Sequence, residues 1–333
     1  MGRLILLSLL ASLFVFSGVA AAGGTTLNLV AFSTPKTVMG TLISNWTKTP
    51  AGSGVTFTQS YGASASQAKA IVAGLPTDIA FLSNALDINT LVKANLVVGN
   101  WTKKLPQGGM VANSVVAFVV RPGNPKHITQ WSDLLKPGVQ VVTPDPFPSG
   151  GAKWNVLAAY GSQRAQGKTD AQATAFVKKL FGHVVQQDTS ASQSANTFLS
   201  GKGDVLLTYE SEAYTAQLAG KAVQIVIPKQ SININLPMVP LKTAPAKAST
   251  FIEYCHSSAA QKLFVAAGYR PVLGSVLNDP SLAVWKQRFT SNGHVFFSIT
   301  NSWFGGWPKA AALWFGPNGR MIQIEKSVGG PTS

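Results

Sequence analysis

The chain has 333 residues, 46% of them apolar, enough for one large two-lobed domain or two ordinary ones, and this excludes wholesale disorder. Its 27 basic against 12 acidic residues leave a formal charge of +15, which attracts anionic ligands and surfaces. Nucleic acid is nevertheless not an expected partner: only 12% of residues are charged, Lys and Arg stand singly or in pairs such as Lys103-Lys104 and Lys178-Lys179, and no basic stripe carries interleaved aromatics.

At the start, Met1-Gly2-Arg3, the apolar run Leu4 to Val19 and the small residues Ala20-Ala21-Ala22 have the charged entry, apolar middle and small exit of a secretory signal over 1–22. The mature chain is then expected to begin near Gly23, in a periplasmic or extracytoplasmic location. The alternative is an uncleaved anchor, since Leu4 to Ala22 is just long enough to cross a bilayer. No later stretch is long and apolar enough to do so. Cys255 is the single cysteine, so the fold must rest on core packing, with this thiol expected to be buried and inert.

Further on, short apolar runs alternate with helix-period segments, the pattern of an α/β protein with parallel sheets covered by helices on both faces. Strands are predicted at Leu27 to Phe32, Val55 to Gln59, Asp78 to Leu82, Val115 to Val120, Val139 to Val142, His183 to Gln186, Val205 to Thr208 and Val223 to Ile227. Helices are predicted at Pro35 to Thr47, Ser64 to Ala73, Asn84 to Ala94, Gly150 to Tyr160, Ala171 to Leu180, Ala191 to Leu199, Glu210 to Leu218 and Lys247 to Ala267.

Three of these helices begin alike. Ser64 precedes Gln67 at capping-box spacing, Ser149 precedes Gly150-Gly151 with Trp154, Leu157 and Ala158 as the buried stripe, and Thr189-Ser190 precede Ala191. Each small polar residue can cap its own helix, for about 1 kcal/mol apiece. Together they allow a second reading. In open α/β folds, strand ends and the following helix starts converge on one crevice, where free N–H groups and positive helix ends hold an anion without basic side chains. On that reading Ser149 offers a hydroxyl, and the glycines let the anion reach the backbone.

The run "GNPKHITQWSDLLKPGVQVVTPDPFPSGGAKWNVLAAYG", Gly123 to Gly161, resembles bacterial periplasmic sulfate-binding proteins, the capture subunits of sulfate/thiosulfate ABC transporters. Further matches are "TQSYGASASQAKAIVAGLPTDIAFL", "WTKKLP", "ANTFLSGKGDVLLTYESEA", "GYRPV" and "WFGGWPKA", in unbroken order from about Leu27 to about Lys309. The resemblance implies a type II periplasmic-binding-protein fold, two α/β lobes joined by two crossovers, the first lobe taking 24–113 plus 233–333 and the second 114–232. It implies a monomer without cofactor that closes on sulfate and delivers it to membrane permease subunits.

Sulfate contacts carry over to Ser33, where better-known members have an aspartate giving its N–H, to Ser64, to Ser149, Gly150 and Gly151, and to Ala191 as an N–H donor. Tyr209 departs from the family's tryptophan. An indole only donates, whereas a phenol donates or accepts, which softens the exclusion of a protonated anion such as phosphate. Ser192 and Lys153 stand where many members have arginines. Glu210 and Glu212 are expected to cap or pair on the surface, facing away from the ligand. Thiosulfate, molybdate and tungstate remain alternatives. An exported serine hydrolase is the rival from another class, but there is no G-x-S-x-G elbow, and His127, His183, His256 and His294 have neither triad nor metal-ligand spacing.

Overall fold

The computed structural model describes residues 24–290 and 293–332; the predicted signal segment lies outside them. Ten strands form among these residues: β1 Thr26–Phe32, β2 Thr56–Gly62, β3 Ile79–Phe81, β4 Met110–Val120, β5 Val141–Pro144, β6 Val184–Asp188, β7 Val205–Tyr209, β8 Gln224–Val226, β9 Gln230–Pro240 and β10 Val295–Phe297. Their order is β2-β1-β3-β9-β4-β7-β5-β6, with β8 beside β4 and β10 beside β9.

Two parallel groups make up this order. In β2-β1-β3, the central β1 runs in register from Thr26 against Thr56 to Phe32 against Gly62. In β7-β5-β6, β5 is central. Central strands are buried on both faces and therefore read as continuous apolar runs: Leu29, Val30, Ala31 and Phe32 are all buried. The edge strands β2 and β6 carry Thr, Gln and Ser in keeping with their exposure.

The long strands β4 and β9 join the groups, antiparallel to each other and to their other neighbours β3 and β7. At their centre Asn113 faces Asn235, whose Nδ2 donates to Asn113 Oδ1 at 2.9 Å. β9 has no counterpart among the predicted strands. Its signal was present as Ile232, Ile234, Leu236 and Met238, an alternating and fully buried set, interrupted by Asn233, Asn235 and Pro237. β4 likewise begins five residues before the predicted Val115, at Met110. The helix predicted over Lys247 to Ala267 is two helices, Ala246–Cys255 and Ser258–Ala266. The break falls where Ser257 caps the second, accepting from Ala260 N.

The helix Gly150–Ala165 is buried over every residue from Gly150 to Gln163, not along one stripe. Its second face is covered by the C-terminal segment. Trp307 meets Trp154 edge-on at 4.6 Å, Trp314 meets Tyr160 at 5.0 Å, and a Cβ on Gly161 would lie 2.3 Å from Phe297. Arg320 pairs with Asp170 at 2.6 Å, and Gln187 donates to Glu325 at 3.1 Å. Residues between 297 and 325, expected in the first lobe from the sequence, thus make these contacts with elements of 141–188, while β10 also pairs with β9.

Candidate functional site

The C-terminal ends of the parallel strands converge, as they do at ligand crevices of open α/β sheets. Ser33 follows β1, and Ser64 opens the helix Ser64–Val72 after β2. Ser149 precedes the helix Gly150–Ala165 after β5, Ala191 opens the helix Ala191–Leu199 after β6, and Tyr209 ends β7. All seven predicted residues, Ser33, Ser64, Ser149, Gly150, Gly151, Ala191 and Tyr209, line one small, tightly closed cavity together with Phe32, Ala63 and Ser83. No Lys, Arg, Asp or Glu side chain is among the lining residues. A larger groove nearby, between Val38, Leu218 and Leu263, is mostly apolar and offers a small anion few partners.

Three helix starts face this cavity, and the first N–H groups of a helix have no intrahelical acceptor. Those of Ser64, Gly150, Gly151 and Ala191 are of this kind. Ser149 is also a cap: its Oγ accepts from Ala152 N at 3.3 Å, which uses a lone pair and leaves the hydroxyl proton to donate. Ser190 caps the third helix, accepting from Gln193 N at 3.3 Å. For these two helices the capping and crevice readings hold together.

Ser64 differs. Ala63, not Ser64, occupies the cap position, and Gln67 turns to Ser60 Oγ and the Ala31 carbonyl rather than closing a capping box. The Ser64 hydroxyl donates to Asp87 Oδ2 at 2.6 Å and accepts from Ser83 N at 3.0 Å, so its proton is committed away from the cavity. Its backbone N–H is what it offers.

The glycines also serve a purpose other than the one read from sequence. A Cβ on Gly150 would lie 1.7 Å from Ser83 Oγ and 2.6 Å from Asn84 Nδ2, and one on Gly151 would lie 2.9 Å from the Tyr209 ring. Their missing side chains let the two strand groups and the tyrosine close in. Contacts across the cleft confirm the approach: Trp154 Nε1 donates to the Ser83 carbonyl at 2.8 Å, Ala65 N to the Pro148 carbonyl at 3.1 Å, and Ser192 N to Ser33 Oγ at 3.4 Å.

The Tyr209 hydroxyl is buried without a protein hydrogen bond of acceptable geometry, although Ser83 is close enough to influence it. Burial pushes the phenol far above its usual range, so it stays protonated. Lys153 is buried one turn behind the cavity, its Nζ donating to the Phe147 carbonyl at 3.0 Å; burial lowers its pKa, with Asp87 and Asp145 opposing.

Glu210 and Glu212 are not on the surface. Glu210 is fully buried and takes a two-pronged pair from Arg270 at 2.6 and 3.0 Å, which accounts for the arginine of "GYRPV". Glu212 is partly buried, and its burial raises the carboxyl to about 7 despite the Ser192 hydroxyl beside it. Both were misplaced because helix-start acids are normally solvated, and the segments that bury these two arrive from distant parts of the chain. His183 and His256 hydrogen-bond the carbonyls of Val139, Ile252 and Met110, and His127 is exposed in a loop, so none of these three stands as a base beside Ser149.

Residues 27–270 match the family described as bacterial extracellular solute-binding protein. The chain belongs to that family. Among related solute-binding proteins, a sulfate-binding protein of Synechococcus elongatus is 37% identical over 85% of this chain and 81% of its own length. A thiosulfate-binding protein of Pseudomonas aeruginosa is 33% identical over 83% and 84%. The solved structure of the sulfate-binding protein SubI from Mycobacterium tuberculosis H37Rv superposes with a TM-score of 0.80 at 37% identity, covering 87% of this chain and 99% of that one. This solute-binding protein therefore has the type II periplasmic-binding-protein fold, two α/β lobes joined by the crossovers β4 and β9. These relatives are named as binding proteins, not enzymes.

Proposed function

We propose that this chain is an extracytoplasmic sulfate receptor that closes its lobes on the anion and hands it to the permease subunits of an ABC importer. The observation that carries the reading is the donor set of the small cavity: N–H groups at three helix starts plus hydroxyls, with no charged side chain among them. A fully ionised tetrahedral dianion accepts from every direction, so it suits donors arranged around it. Desolvating it costs several kcal/mol, which a full set of hydrogen bonds offsets. Ser33 and Ser64 would serve from one lobe, and Ser149, Gly150, Gly151, Ala191 and Tyr209 from the other. We place 114–232 in the second lobe, with the C-terminal segment riding on it, and take the mature protein to be a monomer without cofactor.

Thiosulfate is the second reading, favoured by the Pseudomonas aeruginosa relative and by shared charge and shape. Calorimetric titration of the chain lacking 1–22 with sulfate, thiosulfate, molybdate and phosphate tests both. Sulfate is expected to bind near micromolar, roughly −8 kcal/mol. Phosphate binding tighter than sulfate would refute the proposed pocket, and tighter thiosulfate would transfer the assignment.

A further inference from the structure

Ser83 lines the cavity, yet it was not among the expected contacts. It lies just past β3, in the other strand group from Tyr209 but near enough to that hydroxyl to bond it, and is fully buried. Three of its polar groups are fixed. Its N–H donates to Ser64 Oγ at 3.0 Å, its carbonyl accepts from Trp154 Nε1 at 2.8 Å, and its Oγ accepts from Asn84 Nδ2 at 2.9 Å.

The orientation of that Asn84 amide is not free. Asp87 N, which can only donate, meets Asn84 Oδ1 at 3.0 Å, and the Asp87 carboxylate, which can only accept when ionised, meets Asn84 Nδ2 at 3.0 Å. Asp87 therefore dictates that Asn84 donates to Ser83. The Ser83 hydroxyl proton and one of its lone pairs remain uncommitted. The Tyr209 hydroxyl lines the same cavity, buried, with no well-formed hydrogen bond fixing its proton and with the Ser83 side chain close enough to pair with it.

We propose that the Ser83 and Tyr209 hydroxyls form a reversible pair that gives this pocket a proton acceptor as well as donors, so that singly protonated tetrahedral dianions, hydrogen phosphate and hydrogen arsenate, are secondary ligands. This rests on the cavity being the sulfate site. Toward a fully ionised dianion both hydroxyls donate. Toward a ligand carrying one proton, Tyr209 rotates its proton onto the free lone pair of Ser83 and accepts the ligand's proton on its own oxygen, while Ser83 still donates to the ligand. No bond is made or broken; only hydroxyl rotors move. A donor-only pocket has no equivalent and leaves the ligand's proton facing another donor.

The test compares size-matched pairs differing in the proton: sulfate with phosphate, and selenate with arsenate, titrated by calorimetry at mildly alkaline pH where phosphate and arsenate are singly protonated dianions. Wild type is expected to bind all four, with the protonated ligands weaker by no more than about a hundredfold. Ser83→Ala removes the resting place for the Tyr209 proton and should weaken phosphate and arsenate at least about tenfold more than sulfate and selenate, as expected for one unpaired buried proton. Tyr209→Phe should widen the same ratio, and it guards against a misfolded Ser83 variant. The inference falls if wild type binds sulfate and selenate but neither protonated ligand, or if the variants weaken all four equally. Failure of sulfate and selenate themselves would instead overturn the site assignment and the inference with it.

Discussion

Gly150 sits where the two strand groups approach closely, and a side chain there would clash with Ser83 and Asn84 of the facing group. Gly150→Ala is therefore expected to oppose closure, weakening sulfate at least about tenfold by the usual overpacking cost of a few kcal/mol, while the ligand-free protein melts almost unchanged. Ser149→Ala should behave differently. It removes the bond from Ala152 N as well as a donor to the ligand, so stability falls by about 1 kcal/mol and affinity also drops. Parallel calorimetry and thermal melts separate the two; equal loss of affinity and stability in Gly150→Ala would contradict the closure role. The candidate site was legible to the extent that helix starts reveal themselves locally: helices begin at Gly150 and Ala191, as the sequence predicts. What was not legible is which group each residue uses. Ser64 gives up its hydroxyl to Asp87, 23 positions away, and Gly150 owes its identity to Ser83, 67 positions earlier.

The helix Gly150–Ala165 and its cap Ser149 deliver three of the proposed contacts, and the helix is held from both sides. Its sequence announces one apolar stripe, Trp154, Leu157 and Ala158. Tyr160 and Gly161 are covered by a C-terminal segment whose Trp-rich composition says only that it packs, not where. Trp314→Ala should therefore cost about 3–5 kcal/mol in urea unfolding, the usual range for removing a buried aromatic, since Trp314 is buried against Tyr160. A loss under about 1 kcal/mol would mean that the segment is an appendage rather than a wall of the second lobe. Strand β9 was missed for a related reason. Its alternation is clear, but Asn and Pro at the intervening positions disguise a crossover whose outward residues face the opposite strand, where Asn235 meets Asn113.

Among the described residues burial raises the carboxyls of Asp145, Glu210, Glu212 and Glu325, and the last two carry the largest consequence near neutral pH. Burial lifts Glu212 and Glu325 from the ordinary 4.5 to about 7. Between these values the folded state binds more protons than the unfolded state, so stability is full below about pH 4.5 and declines as pH rises toward 7. Asp133 and Asp170 work in the other direction, lowered by Lys136 and the Thr129 segment and by Arg320 respectively, and their contribution is lost only at more acid pH. Thermal melts should accordingly peak near pH 4–5 and fall toward neutrality, and Glu212→Gln should flatten the descent. A melting temperature that climbs from pH 5 to 7 in the parent protein would contradict the buried placement of both acids.

The positive charge of the whole chain draws an anion inward, but the geometry assigns its seat to main-chain and hydroxyl donors. Selenate carries an anomalous scatterer in the shape and charge of sulfate, so an anomalous difference map from crystals soaked in selenate addresses this directly. The account predicts one dominant peak between Ser33 and Ser149, within hydrogen-bonding reach of the Gly150, Gly151 and Ala191 N–H groups. Peaks confined to surface lysines, with none in the cleft, would contradict it.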